Sequence, residues 1–75
     1  MKGVYFMKIE DIQLGVIYQL NGNGYYLKDK TKVKVFHKRT VIVEKTGEEV
    51  LTGWCEVFRA EGFGADIVDC EDLSL

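Results

Sequence analysis

The sequence is poor in the residue types that carry catalysis and metal binding. It contains one histidine, His37, and two cysteines, Cys55 and Cys70. Catalysis needs a base beside a nucleophile and an orienting group, and a lone histidine between a phenylalanine and a lysine does not provide these. The cysteines form no CxxC pattern and have no nearby histidine, so they do not indicate a zinc or redox site. We interpret each cysteine as a small buried apolar residue, with a disulfide or a labile surface thiol as the alternatives.

Long apolar runs are also missing. The N-terminal apolar patch, Val4 to Met7, spans only four residues and lacks the longer apolar region and the cleavage site of a signal peptide. No stretch approaches the length of a membrane span. Together with the cysteine usage, this predicts a cytoplasmic protein that does not enter a membrane. Because Met7-Lys8 resembles a second start, residues 1–8 are predicted to be a loose extension or an edge strand.

The chain is short as well, which bounds its function. Its 75 residues form a single domain that hides only ~60% of its unfolded surface. The stability margin of such a core is about 3–5 kcal/mol, which leaves little room for an enclosed cavity of the ~300 Å³ typical of small-molecule sites. Acid pairs such as Glu10-Asp11, Glu48-Glu49 and Glu71-Asp72 lie in turns or at ends, where acids are solvated. We therefore predict a non-enzymatic protein without a cofactor or a metal ion.

The densest run of strand-forming residues lies in the middle of the chain, from Lys32 to Lys45. Alternate residues of a strand point to one face. Four valines share one parity in this run, and we expect all of them to enter one core: Val33, Val35, Val41 and Val43. The run is predicted to be the central strand with which its neighbours pair.

The flanking segments predict a hairpin before this strand and leave a choice after it. Asn21-Gly22-Asn23-Gly24 favours a two-residue hairpin turn with Tyr25 to Leu27 as the returning arm. After the central run, Thr46-Gly47 either turns a second hairpin into a strand or starts a helix, with Thr46 and Glu49 as a capping box. The helix has support, because Val50, Leu51, Trp54, Val57 and Phe58 fall within one stripe of a helical wheel. Gly53 and the β-branched and aromatic residues weaken it.

The order of short elements resembles that of SH3-like small barrels, which are often seen in small phage and bacterial accessory proteins. The resemblance is carried by residues 12–18, by Trp54-Cys55-Glu56-Val57 with Gly62, by Ile67-Val68 and by Glu71-Asp72-Leu73. It covers most of Leu14 to Leu75, and the stripe over Val50 to Phe58 departs from it. The resemblance implies a bent antiparallel sheet that binds through its loops and one open face. The predicted fold is thus a mainly β, small antiparallel SH3-like barrel, with an α+β sheet carrying a helix over Thr46 to Glu61 as the alternative.

Charge is distributed unevenly along the chain. Residues 28–45 hold seven basic and two acidic side chains, whereas residues 46–75 hold one basic and eight acidic. In an extended backbone, residues of one parity in the basic part would form an aromatic and lysine stripe of the kind that stacks bases and contacts phosphates: Tyr26, Lys28, Lys30, Lys32, Lys34, Phe36 and Lys38. Nucleic-acid binding through this stripe is the alternative function. A purely structural explanation is that the lysines protect a sheet edge against aggregation.

The acidic part predicts the function that we favour, a small binding module that engages a partner protein, as a phage-encoded accessory or inhibitor protein would. A cluster of acids with one aromatic anchor forms the predicted contact set: Phe63, Asp66, Asp69, Glu71 and Asp72. A solvated acidic end that maintains solubility is the structural alternative. The sequence leaves open whether the protein forms a homo-oligomer.

Overall fold

A computed structural model describes residues 7–75, and the prediction for residues 1–8 therefore lies largely outside the described residues. Within these described residues, five strands form one antiparallel sheet: β1 (Ile17–Leu20), β2 (Lys32–Ile42), β3 (Glu49–Arg59), β4 (Ala65–Asp69) and β5 (Leu73–Ser74). Short 3-10 helices span Ile9–Asp11 and Cys70–Asp72. The prediction of a mainly β, antiparallel domain is confirmed.

The strand order is β4-β3-β2-β1-β5, which places the two longest strands at the centre. The last strand returns to pair with the first, Leu20 opposite Leu73. The sheet has β4 and β5 as its edges and is not closed. The resemblance to SH3-like barrels therefore stays a prediction.

The helix predicted as the alternative over Thr46 to Glu61 is wrong. That segment is β3, which pairs with β2 on one side and with β4 on the other. Gly53 has a φ of 94°, which an α-helix does not contain. The residues of the helical stripe do not share one face in the structure: Val57 is fully buried, whereas Trp54 and Phe58 are exposed.

One hydrophobic core lies on the inner face of the sheet. Its largest fully buried side chains are Tyr18, Ile12, Leu20, Leu73, Val33, Val35, Val57 and Cys55. Both cysteines are free and buried, as their interpretation as small apolar residues requires. The Tyr18 hydroxyl accepts a hydrogen bond from the Gln13 backbone N–H at 2.9 Å, which satisfies the polar end of this buried ring.

The prediction that four valines enter the core is half wrong. Val33 and Val35 are buried, but Val41 is 52% exposed and Val43 is 37% exposed. The β2–β3 register shifts between Val35 and His37, and again before Thr40. An extra residue in a strand reverses which parity faces the core, and the end of the β2–β3 hairpin also extends beyond the core.

The hairpin predicted at Asn21 to Gly24 is also wrong. The strand that returns to β1 is β2, beginning at Lys32, and residues 21–31 form a loop. The two ends of this loop are joined by hydrogen bonds from Leu20 N–H to Thr31 O and from Lys30 N–H to Leu20 O. Residues 25–27 pair with no described strand, because the Asp66 side chain accepts hydrogen bonds from the N–H groups of Tyr26 and Leu27.

Candidate functional site

The outer face of the sheet exposes apolar side chains. Five of them are between 38% and 50% exposed: Ile17, Phe36, Trp54, Phe58 and Ile67. Trp54 and Phe58 alternate along β3 with the buried Cys55 and Val57, which places them on the side away from the core. A contiguous apolar patch on a small domain marks an interaction surface.

The first irregularity of β2 shapes this face. It inserts a residue between Val35 and His37, so that Phe36 and His37 both contact outward-facing residues of β3. The rings of Phe36 and Phe58 have their centroids 5.6 Å apart. His37 Nδ1 lies 2.8 Å from Glu56 Oε2. The bulge therefore orders an aromatic pair and a polar pair side by side.

The loop before β2 adds two tyrosines to this face. Tyr25 is 84% exposed and Tyr26 is 82% exposed, so neither ring is held by packing in the core. Asp66 of β4 holds their backbone: its Oδ2 accepts hydrogen bonds from the N–H groups of Tyr26 at 2.8 Å and Leu27 at 3.0 Å. Its Oδ1 accepts one from the N–H of Ile67 at 2.8 Å. Asp66 thus attaches residues 21–31, which we call the tyrosine loop, to the edge of the sheet.

Gly24 allows the loop to approach Asp66 so closely. A Cβ atom at this position would collide with Asp66 Oδ2 and lie 3.1 Å from Cγ. The turn is closed by a hydrogen bond from Gly24 N–H to Leu27 O at 2.8 Å. The glycine is therefore required by space next to the carboxylate.

The Asp66 carboxylate is ionised in this arrangement. Burial raises the pKa of Asp66, but the backbone N–H groups of Leu27, Tyr26, Ile67 and Tyr25 together lower it by more, so that the pKa lies below its ordinary value of 3.8. Several N–H donors directed at one carboxylate stabilise its charged form.

Between the tyrosine loop and the sheet lies an open groove of about 880 Å³. Its lining is aromatic and β-branched with few charges: Tyr25, Tyr26, Phe36, Arg39, Thr40, Val41, Thr52, Trp54, Glu56, Ala65, Asp66 and Ile67. We call this the aromatic groove. Its volume is sufficient for several side chains of a bound chain.

A smaller depression of about 260 Å³ lies next to the groove. Tyr25, Trp54 and Ile67 line both, so these side chains form the ridge between them. The second depression also contains Asp69 and Asp72 and no lysine or arginine. We call it the acidic depression.

The acidic contact set predicted from the sequence is only partly brought together. Asp69 and Asp72 line the acidic depression, whereas Phe63, 97% exposed, and Glu71 line neither cavity. Asp66 is only 6% exposed and its oxygens accept backbone hydrogen bonds, so its role in the structure is to hold the loop. Asp69 also accepts a hydrogen bond from Glu71 N–H at 2.9 Å.

The predicted aromatic and lysine stripe is interrupted. The extended backbone that it requires is absent over residues 21–31, where Lys28 and Lys30 are exposed in the loop. Lys32 Nζ donates to Gln19 Oε1 at 3.2 Å. Lys34 and Lys38 are half-buried on β2. Of the seven stripe residues, only Tyr26 and Phe36 line the aromatic groove.

Sequence reasoning missed the residues at the ridge, Tyr25, Trp54 and Ile67. An exposed aromatic in a strand can be recognised only when the strand's inward residues are known, and the choice between strand and helix left β3 undecided. If this segment had been assigned as a strand, the apolar Cys55 would have been placed in the core, and its neighbour Trp54 would have been predicted to point outward.

The described residues offer no reactive thiol. Burial raises the pKa of Cys55 to about 11, and the proximity of Cys70 and Asp69 adds to the increase. Burial together with the carboxylates of Asp69 and Glu71 raises the pKa of Cys70 to about 11. Both thiols are therefore protonated near neutral pH.

Within residues 7–75, no group of three or more histidine, cysteine or acidic side chains is arranged to hold a metal ion. The same part of the chain contains no helix with the length and apolarity that a membrane crossing requires.

Comparisons of the chain with protein-family models, with curated proteins and with solved structures found no match.

Proposed function

We propose that this protein is a non-enzymatic binding module that takes an extended segment of a partner protein across the Tyr25–Trp54 ridge. The observation that carries the proposal is the exposure of Tyr25, Tyr26, Phe36 and Trp54 on one surface, at 84%, 82%, 47% and 43%. Rigid aromatic side chains provide large contact areas at low entropic cost and dominate binding energy at interfaces. Asp66 holds the backbone from which the two tyrosines project, and the β2 bulge places the Phe36 ring beside Phe58.

The two cavities define the chemistry of the partner segment. The aromatic groove accepts apolar side chains, and the acidic depression beside it favours a lysine or arginine through Asp69 and Asp72. An extended segment reaches both because it advances ~3.3 Å per residue. The proposed ligand is therefore an extended apolar segment with a basic residue at one end.

Charge favours a protein over a nucleic acid as the ligand. Of the residues lining the aromatic groove, Arg39 is basic, whereas Glu56 and Asp66 are acidic. Single-stranded nucleic-acid sites combine stacking aromatics with a positively charged path for the backbone. The lysines of the interrupted stripe do not supply such a path within the groove.

The test uses peptides and the intrinsic fluorescence of Trp54, which is the single tryptophan of the chain. Selection from a random-peptide library on the immobilised protein should enrich peptides with a basic residue next to apolar residues. Binding of these peptides should change Trp54 emission, because Trp54 lies between the two cavities.

Matched variants assign the binding to the ridge. Tyr25→Ala should weaken peptide binding about thirtyfold, as expected for an interface hot spot of ~2 kcal/mol, whereas Phe63→Ala should leave it unchanged. Asp69→Asn should reduce the preference for a basic residue, and Glu71→Gln should not. Equal effects of Tyr25→Ala and Phe63→Ala would reject the groove. A response of Trp54 to single-stranded oligonucleotides but to no peptide would establish the nucleic-acid alternative.

A further inference from the structure

The far end of the β2–β3 hairpin lies outside the main body of the sheet. β1 pairs with β2 only as far as Lys34, and β4 pairs with β3 only from Trp54 onward. Residues 40–51, which we call the arm, therefore pair only with each other among the described residues, beginning with Thr40 opposite Leu51. Every residue from 39 to 52 is exposed. An isolated two-stranded hairpin is marginally stable in water.

The arm is apolar on both faces. Its exposed apolar side chains are Val41, Ile42, Val43, Val50 and Leu51, between 37% and 57% exposed. Among residues 7–75, the two outer edges of this hairpin also pair with no other strand. A long apolar strand edge of this kind pairs with another chain unless it is protected.

The β2 edge of the arm is the better template of the two. Val43 N–H donates to Glu48 O at 2.8 Å, so Val43 and Val41 direct their backbone groups toward β3. The alternation of an antiparallel ladder then points the backbone groups of Thr40 and Ile42 to the open edge. The β3 edge is interrupted by Gly53, whose φ of 94° is not extended.

Charge selects one register for pairing of this edge with its own copy. Three two-fold registers bring Thr40 and Ile42 into hydrogen-bonding positions, centred on residues 40, 41 or 42. The register centred on residue 42 places Arg39 opposite Lys45, and the one centred on residue 40 forms no charged pair. The register centred on Val41 places Lys38 opposite Glu44 of the other copy, twice per dimer, without opposing like charges.

We propose that the protein forms a symmetric dimer in which the β2 edges of two arms pair antiparallel about Val41. Thr40 of one copy exchanges backbone hydrogen bonds with Ile42 of the other, and the two sheets become continuous. Arg39, Thr40 and Val41 also line the aromatic groove. The dimer therefore places two grooves across one two-fold axis, independently of what the grooves bind.

Single cysteines on the arm report the register directly. In the proposed dimer the two Val41 Cα atoms are about 4.5 Å apart, within the ~4.4–6.8 Å range that a disulfide spans. With oxidised glutathione, Val41→Cys should form a covalent dimer on a non-reducing gel. Thr40→Cys and Ile42→Cys are the matched controls and should stay monomeric, because their own copies are about 8 Å away. The native cysteines are buried and contribute no background.

The three cysteine variants separate the possible results. Preferential cross-linking of Thr40→Cys or Ile42→Cys would overturn the Val41 register in favour of the one centred on that residue. Equal cross-linking of all three, or none, would overturn the dimer.

Charge-reversal variants of the chain without introduced cysteines test the same pairing without a covalent bond. Sedimentation of the native chain over two decades of concentration should show a mass that rises from 8.6 kDa to twice that value and no further. Lys38→Glu and Glu44→Lys should each weaken dimerisation about tenfold, and the double variant should restore it. Lys28→Glu and Glu61→Lys change the same charges away from the arm and should have no effect. A mass that stays monomeric, a mass that grows beyond a dimer, or a double variant without rescue would each overturn the proposal.

Discussion

Replacing Asp66 by asparagine should loosen the tyrosine loop and destabilise the whole domain. The carboxylate accepts three backbone hydrogen bonds, from Tyr26, Leu27 and Ile67, and it is only 6% exposed. Asparagine keeps the shape but offers one acceptor oxygen, and its NH₂ group then faces an N–H donor.

The magnitude follows from the number and kind of hydrogen bonds. Two bonds change from charge-assisted to neutral, and the stabilisation from each decreases by about 1 kcal/mol. One N–H donor is left unpaired near the solvent edge, which costs about 1 kcal/mol. The expected loss is about 3 kcal/mol, which is most of the roughly 3–5 kcal/mol margin of a domain of this size.

Urea unfolding followed by Trp54 fluorescence measures this loss. Asp29→Asn is the matched control, because Asp29 lies in the same loop and accepts the Gly22 N–H at 2.7 Å in an exposed position. We expect it to lower the free energy of unfolding by less than about 1 kcal/mol. Amide exchange provides the local readout: Leu27 should lose protection in Asp66→Asn and retain it in Asp29→Asn.

The pH dependence provides an independent check. Because the pKa of Asp66 is lowered in the folded state, its contribution to stability is fully present above its ordinary pKa near 4 and is lost as the pH falls through the lower folded value. Asp66→Asn should therefore show a smaller loss of stability in acid than the native chain. Native-like stability and Leu27 protection in Asp66→Asn would refute the role of the carboxylate.

Three further outcomes follow from the same structure. Gly24→Ala should destabilise the native chain by about 1–3 kcal/mol in urea unfolding because its Cβ collides with Asp66, and by clearly less in an Asp66→Ala background; additive losses would contradict the steric argument. Gly53→Ala should cost about 1–2 kcal/mol in the same assay, because its φ of 94° is strained for alanine, and an unchanged midpoint would count against this. Thiol labelling of Cys55 and Cys70 at neutral pH should be slow in the folded chain and rapid in denaturant, because burial raises both pKa values to about 11; rapid labelling of the folded chain would show that the thiols are accessible.

Local sequence was sufficient for much of the sheet. The β-branched run from Lys32 onward predicted the central strand. Thr46-Gly47 predicted a hairpin turn as one of two alternatives, and Gly47 has a φ of 72° there. Turn chemistry and strand propensity act over a few neighbouring residues, which makes them readable in one dimension. The charge pattern likewise placed Asp69 and Asp72 in one cluster, and they line one depression.

Longer-range features could not be predicted in this way. Asn21 to Gly24 has the composition of a tight hairpin turn, yet the residues after it form a loop because Asp66, forty residues from Tyr26 in sequence, takes their N–H groups. The alternation of β2 predicted Val41 as core, and a bulge that depends on the β3 register reversed its face. Both outcomes depend on a partner that local propensity does not contain.

The sequence by itself determined that the run from Lys32 is extended, because strand propensity depends on adjacent residues. It also determined how charge is divided along the chain. Only the tertiary structure decided which faces are buried, that Asp66 holds the tyrosine loop, and that Tyr25, Trp54 and Ile67 meet at one ridge. These features arise when β4 pairs with β3 and brings distant residues within hydrogen-bonding distance. These contacts depend on the register between strands, and a single inserted residue changes that register.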